Sequence, residues 1–464
     1  MKRFFIFWVC ISTCVVLHSE VKYVFYLIGD GMGTNQVLAA EMYLAELDGT
    51  IGRNRLHMTG LPYMGLASTH SASNSITDSA ASGTALATGS KTTNGTLGLD
   101  ADSDTLTTIA EQLKAQGWGV GLMTTVAIDH ATPAAFYANV KERDQYYEVG
   151  TQLAYTGFDL FCGAGFHRPE PQDGQQGANL YDLAEQQGYT LAHGLEEARA
   201  QQHQARKMIL VQPGDGVDRK KRCDNFPYMI DGRDEQLHLS SLVPFAIDYL
   251  NEHNERFFLM IEGGMIDYAG HSRDGATNIQ ETLDFDGAVG AVLAFYRRHP
   301  DETLIVITAD HETGGLALGN SNYTLNLQLL KHQHCSEGAL SDELGKLYKD
   351  KDAPKWQDVR AILEQRLDFY TGVNITAEED RELQEAFRKT LKGKGKVKTL
   401  YKEINALGGT AVSILNRQAK LGWTSYSHTA SSVPVFAIGQ GAEQFTGWID
   451  NTDIAPKIMK AIER

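Results

Sequence analysis

Cysteine is scarce, with five in 464 residues, and two of these, Cys10 and Cys14, fall in the first twenty positions. Only Cys162, Cys223 and Cys335 follow, an odd number that permits at most one internal disulfide. Cross-links therefore do not hold this fold together. Basic residues are also in deficit: 42 Lys and Arg stand against 58 Asp and Glu, a net charge of −16. That charge repels nucleic acid and anionic lipid and excludes both as partners through bulk electrostatics, so any anion must be bound locally. Long apolar runs are missing after the N-terminus, and no stable membrane insertion is expected. Internal repeats and low-complexity tracts are absent too. What remains is 42% hydrophobic residues, enough at this length to bury a large core.

The one sustained apolar run is at the start. In "MKRFFIFWVCISTCVVLHSE", Lys2 and Arg3 precede apolar residues from Phe4 to Leu17, too short for a stop-transfer helix and shaped like a secretory signal. Residues 1–19 are expected to be removed on export, leaving a periplasmic or secreted chain of residues 20–464. Cys14 offers a second-ranked site for a lipid anchor.

The organisation reads as α/β. Buried-strand patterns recur at "YVFYLIG" from Tyr23, "WGVGLMT" from Trp118, "MILVQ" from Met208, "FFLMIE" from Phe257, "LIVITA" from Leu304 and "PVFAIG" from Pro434. Helical patterns such as "TLTTIAEQLKAQG" lie between them, so the expectation is a doubly wound, mainly parallel central sheet flanked by helices. Residues 316–423 break this rhythm and read as a mostly helical insertion before the last core strand, with a capping box at Thr376 and Glu379. Within it, "KGKGKVK" reads as a solvated loop. The "HQHC" of His332 to Cys335 reads as surface residues, with a separate metal site as the alternative.

Acidic residues fall where strands end. Asp30 follows the first strand, Glu262 closes "FFLMIE" and Asp310 follows "LIVITA", and the carboxyl edge of an open α/β sheet is where ligands bind. Crowding these carboxylates is costly unless cations neutralise them, so the crevice calls for metal. In "EGGMIDYAGH", Asp267 and His271 stand four apart and share one helix face. In "TADHETGG", Asp310 and His311 serve one site only in a turn past the strand, which Gly314 and Gly315 supply. His428 in "SYSHTAS" gains weight only from this set. The "IGDGMG" around Asp30 departs from the dinucleotide spacing and suits a carboxylate held close by small neighbours.

The stretch "TDSAASGTALATG" places Ser79 at a helix start, where unsatisfied N–H groups favour phosphate. From that window alone, Ser79 as a simple N-cap is the favoured reading, and Asp78 reads as a partner that orients local backbone or a nearby arginine, not as a proton acceptor for Ser79. A catalytic serine needs something to take its proton, and no G-x-S-x-G elbow surrounds it. Coordination to zinc does this without a base.

In order along the chain, "IGDGMG", "TDSAASGTALATG", "DHATPAAFYANVKER", "EGGMIDYAGH", "TADHETGG" and "SHT" resemble the motifs of the alkaline phosphatases of the exported bacterial kind. The resemblance spans Val21 to the C-terminal strand, with only the insertion uncovered. It implies two zinc ions, one magnesium ion and a homodimer acting on phosphate monoesters. Ser79 would be the nucleophile that becomes phosphorylated and a ligand of the second zinc, together with Asp30, Asp310 and His311. Asp267, His271 and His428 would hold the first zinc, and Asp30, Thr132 and Glu262 the magnesium. Arg143 would clamp the phosphate; on sequence alone it is an ordinary surface arginine. Two positions depart from the best-known bacterial pattern: His130 replaces an aspartate near the magnesium and would act through water, and Tyr268 replaces a lysine, histidine or tryptophan near the phosphate. A phosphodiesterase of the same superfamily, or an exported metal or phosphate binder without catalysis, is the alternative.

Overall fold

Six strands in which every residue is buried lie side by side in the middle of a ten-stranded sheet. In the computed structural model, residues 20–171, 176–212, 222–232, 237–350, 354–391, 396–398 and 403–463 are described. The leader-like residues 1–19 with Cys14, and residues 392–395 of "KGKGKVK", lie outside the described residues; the rest of that stretch, Lys396–Lys398, is not the expected loop but a short strand antiparallel to Glu403–Asn405. The strands are β1 (Tyr23–Ile28), β2 (Tyr63–Ser68), β3 (Gly119–Thr124), β4 (Leu160–Gly163), β5 (Thr190–His193), β6 (Met208–Val211), β7 (Phe257–Glu262), β8 (Thr303–Thr308), β9 (Val433–Gly439) and β10 (Gly447–Asp450). Their order is β10-β2-β9-β8-β1-β7-β3-β4-β6-β5. The buried six, β8 to β6 in that order, are mutually parallel and read as continuous apolar runs because both faces are covered.

The six strands expected from sequence are all present. Four more were not legible. β2, β4, β5 and β10 are four to six residues long, read YMGLAS, LFCG, TLAH and GWID, and carry few β-branched residues. The strand expected to be the last, β9, runs antiparallel to both β8 and β2 and is followed by the edge strand β10. Cys162 and Cys335 are buried free thiols, which leaves no internal disulfide among the three cysteines. Among the described residues no helix is long and apolar enough to cross a membrane.

Residues 316–423 contain the helices Glu337–Asp350, Trp356–Leu367, Ala377–Leu391 and Ala406–Gln418. Thr376 and Glu379 cap the third of these reciprocally. Two short antiparallel pairs close the neck of the block: Leu316–Leu318 with Leu421–Trp423, and Glu312–Thr313 with His428–Thr429. The second pair brings the segments of His311 and His428 together. The core is continuous through the block, with Leu363 and Leu383 fully buried in the same cluster as the sheet. Truncating Leu363→Ala should therefore cost about 2–5 kcal/mol, read as a lower denaturant midpoint of the purified protein; an unchanged midpoint would show that its burial contributes little.

Candidate active site

Parallel register sets the depth of the site. Ile28 at the end of β1 is level with Glu262 on β7 and Thr308 on β8, and Glu262 is level with Thr124 on β3. Asp30 and Asp310 each stand two residues beyond those ends, so three carboxylates emerge at one edge of neighbouring strands. The turn after β1 requires glycine at Gly31: its φ is +72°, and a Cβ there would lie 2.9 Å from the Asp267 Cα. After β7, the helix Met265–Ser272 puts Asp267 and His271 on one face, with His271 Nε2 3.4 Å from Asp267 Oδ1.

Three groups of ligand atoms result, each lying within 4.8 Å of one another: Asp267, His271 and His428; Asp30, Asp310 and His311; and Asp30, His130 and Glu262. In the first, His271 Nδ1 donates to the Tyr426 carbonyl at 2.6 Å, and His428 Nδ1 donates to the Thr77 carbonyl at 2.9 Å. Carbonyl oxygens only accept, so in each neutral imidazole it is Nε2 that carries the lone pair. These two nitrogens face each other at 3.1 Å, an arrangement that requires a positive charge between them. Asp267 is held well below the usual carboxylate range although burial opposes this, because His271, His428 and His311 surround it.

In the second group His311 Nε2 lies 3.3 Å from Asp30 Oδ1 and 3.1 Å from Asp310 Oδ2. The Thr313 hydroxyl donates to Asp267, which leaves its oxygen to accept from His311 Nδ1 at 3.2 Å. Burial would lower the His311 pKa, but Asp310 beside it raises it, so added positive charge is favoured at this point. Ser79 Oγ reaches the same Nε2 at 3.2 Å across 232 positions of sequence. The serine thus has a histidine beside it, one that it shares with two carboxylates.

Ser79 opens the helix Ser79–Thr88 and is fully buried, but it is not the cap. Asp78 is: its carboxylate accepts from the Ala81 N–H at 3.0 Å and from the Gly95 N–H at 3.1 Å. The capping reading of Ser79 is thus corrected, and the serine hydroxyl is left for the crevice. Asp78 also binds Arg143 Nη1 at 3.0 Å. Burial would raise its pKa, yet Arg143 and these N–H groups hold it below the usual range. The surface arginine of the sequence reading is in fact a tethered group at the crevice wall.

The third group is the most strained electrostatically. Glu262 is pushed up to about 8, first by burial and then by Asp310, while the Thr124 hydroxyl opposes the rise. Asp30 is raised well above the carboxylate range by burial, Asp310, Asp267 and Glu262. Both oxygens of Glu262 are buried without a well-formed hydrogen bond among the described residues, as are Asp30 Oδ1 and Asp310 Oδ2. Thr132 Oγ1 donates to Asp30 Oδ2 at 3.4 Å. His130, pushed down to about 3 by burial and Arg143, is neutral and takes Arg143 Nη2 at 3.3 Å on its Nε2.

A cleft of about 1060 Å³ opens over these groups, lined by Arg143, Asp78, His428 and Tyr268 and, from the 316–423 block, by Glu337 and Asp342. Tyr268 meets the His130 ring edge-on at 5.9 Å, and burial keeps its phenol protonated. Of the twelve residues singled out from the sequence, Arg143, Tyr268 and His428 line this cleft, and the other nine are joined to them by the contacts given above. His332 and His334 do not: both face Asp368, at 2.9 and 3.1 Å. Sequence reading missed Thr313 and the carbonyls of Thr77 and Tyr426. Carbonyls carry no residue signature, whereas Thr313 stands within "DHETGG" and was open to notice.

A profile of the alkaline phosphatase family matches residues 21–157 and 164–464. Alkaline phosphatase 4 of Bacillus subtilis is 32% identical over 459 residues, covering 96% of this chain and 89% of its own. The cold-active alkaline phosphatase of the psychrophile Shewanella sp. superposes with a TM-score of 0.79 at 30% identity, over 95% of this chain and all of the other. The alkaline phosphatase of Thermus thermophilus does so with a TM-score of 0.77 at 26% identity, over 95% of this chain and 91% of its own.

The raised Glu262 fixes the sign of a pH dependence. In metal-free protein the folded state keeps a proton that the unfolded state has lost above the ordinary value of 4.5, so this group removes stability progressively as pH rises from there to about 8. Metal-free Glu262→Gln should accordingly be the more stable protein at pH 8 and equal to the parent below pH 4.5. Parallel denaturation curves across that range would refute this.

Proposed function

Since the chain belongs to the alkaline phosphatase family, we propose that it hydrolyses phosphate monoesters through a phosphoserine formed on Ser79, with two zinc ions and one magnesium ion held in the crevice. The observation that carries the reading is Ser79 Oγ at a helix start, 3.2 Å from a histidine nitrogen that two buried carboxylates also approach. A base would not be shared in this way; a ligand set is.

The donors fit the ions. Ligand atoms around a tetrahedral zinc stand about 3.3–3.6 Å apart. His271, His428 and Asp267 present theirs at 3.1, 3.4 and 3.6 Å. Asp30, Asp310 and His311 would hold the second zinc beside Ser79. Asp30, Glu262 and the Thr132 hydroxyl form an oxygen set suited to magnesium, with neutral His130 adjoining. Bound there, zinc would lower the proton affinity of the serine hydroxyl and offset charge on the attacking and leaving oxygens.

The chain's own residues do the rest. The start of the Ser79–Thr88 helix directs its N–H groups and positive end at the phosphoryl oxygens. Arg143, aimed by Asp78, supplies a planar fork for two non-bridging oxygens. Tyr268, neutral at every working pH, offers at most an uncharged hydrogen bond. Ser79 takes the phosphoryl group in line, and water then attacks the phosphoserine from the side the alcohol has left. Two such displacements give net retention at phosphorus. Export after removal of residues 1–19 and assembly as a homodimer belong to the same proposal.

Purified protein should release phosphate from p-nitrophenyl phosphate far faster than from bis-p-nitrophenyl phosphate, lose this activity to a chelator and regain it with zinc plus magnesium. Equal or reversed rates on the two esters would favour a diesterase. Ser79→Ala should abolish labelled phosphoenzyme and lower turnover by about 10³-fold or more, with metal content nearly unchanged; persistent labelling would move the nucleophile elsewhere.

A further inference from the structure

Resting on that metal reading, we propose that Arg273 is a positioning residue for the zinc-ligand pair His271 and His428, acting through residues 425–427 and tied to the helical block of residues 316–423. Arg273 ends the helix Met265–Ser272 with φ +53°, in the left-handed region where glycine is the unstrained choice. A bulky residue kept at such a position points to work for its side chain. That side chain turns back over the following loop. Its Nε donates to the Ser425 carbonyl at 2.9 Å, and its guanidinium carbon lies 3.3 Å from the centre of the Tyr426 ring.

The ring so covered belongs to the residue whose carbonyl accepts His271 Nδ1–H, and His428 follows two positions later. Burial does not hold Tyr426 in place, because it is 45% exposed. Gly314 anchors the loop from the other side, accepting from the N–H groups of Thr424 and Ser425 and donating to the Ser427 carbonyl. On its own backbone, Arg273 accepts from Asn416 Nδ2 at 2.7 Å, a buried side chain on the Ala406–Gln418 helix of the block. One residue therefore joins the block to the loop that aims two ligands. Loss of its clamp would loosen the aim of both Nε2 atoms while the backbone relaxes.

The test is zinc release from fully loaded protein into a chromogenic chelator, followed in time. In Arg273→Gly one zinc equivalent should leave at least tenfold faster than in the parent while the other keeps its rate, and the metal-free protein should melt at the same or a higher temperature. Tyr426→Ser, which removes the other half of the stack, should behave likewise. Arg273→Lys should be intermediate, and Tyr426→Phe should match the parent. Unchanged release in Arg273→Gly and Tyr426→Ser would overturn the positioning role and leave the proposed function standing. A parent protein that takes up no zinc would overturn both.

Discussion

Four carboxylates with no solvent contact share one crevice: Asp30, Glu262, Asp267 and Asp310. Their mutual repulsion at low dielectric is the constraint to which the surrounding structure responds. Two of them, Asp30 and Glu262, respond by holding protons far above the ordinary range, and Asp267 responds in the opposite sense because three histidines surround it. A helix start, a tethered arginine and His311 all bring positive potential to the same few ångströms. The polarity of the sheet makes this convergence possible, since parallel strands end together and release their acids at one level.

Much of this was legible because it depended on local rules. Buried parallel strands announce themselves as apolar runs, and acids immediately after such runs mark the carboxyl edge. The i, i+4 relation of Asp267 and His271 needed only a helix, which formed. What was not legible arises from contacts at long range. Asp78 reads from the sequence as a partner for local backbone or a nearby arginine, and it is both, but nothing in "VKERDQY" identifies Arg143 as that arginine. The short strands β2, β4, β5 and β10 escaped because pairing partners, not their own composition, make them strands.

Backbone carbonyls have an outsized part in the first ligand group. The oxygens of Tyr426 and Thr77 decide which nitrogen of His271 and of His428 carries the proton, and so which one faces the crevice. The Tyr426 carbonyl lies in a loop held by Gly314 on one side and by Arg273, stacked on the Tyr426 ring, on the other. The neck of the 316–423 block therefore does more than close a loop: its Glu312–Thr313 and His428–Thr429 pair sets His311 and His428 ring against ring, with centroids 3.5 Å apart.

That neck has a consequence for the order of folding. His428 meets Thr77 across 351 positions, and Ser79 meets His311 across 232. Loops of this length close only after the intervening sheet has formed, because their closure entropy must be met before the contact rewards it. A chain that ends before the neck lacks His428 and so has no completed ligand set to offer. A metal ion held as proposed by Asp267, His271 and His428 would therefore join segments that lie far apart in the sequence.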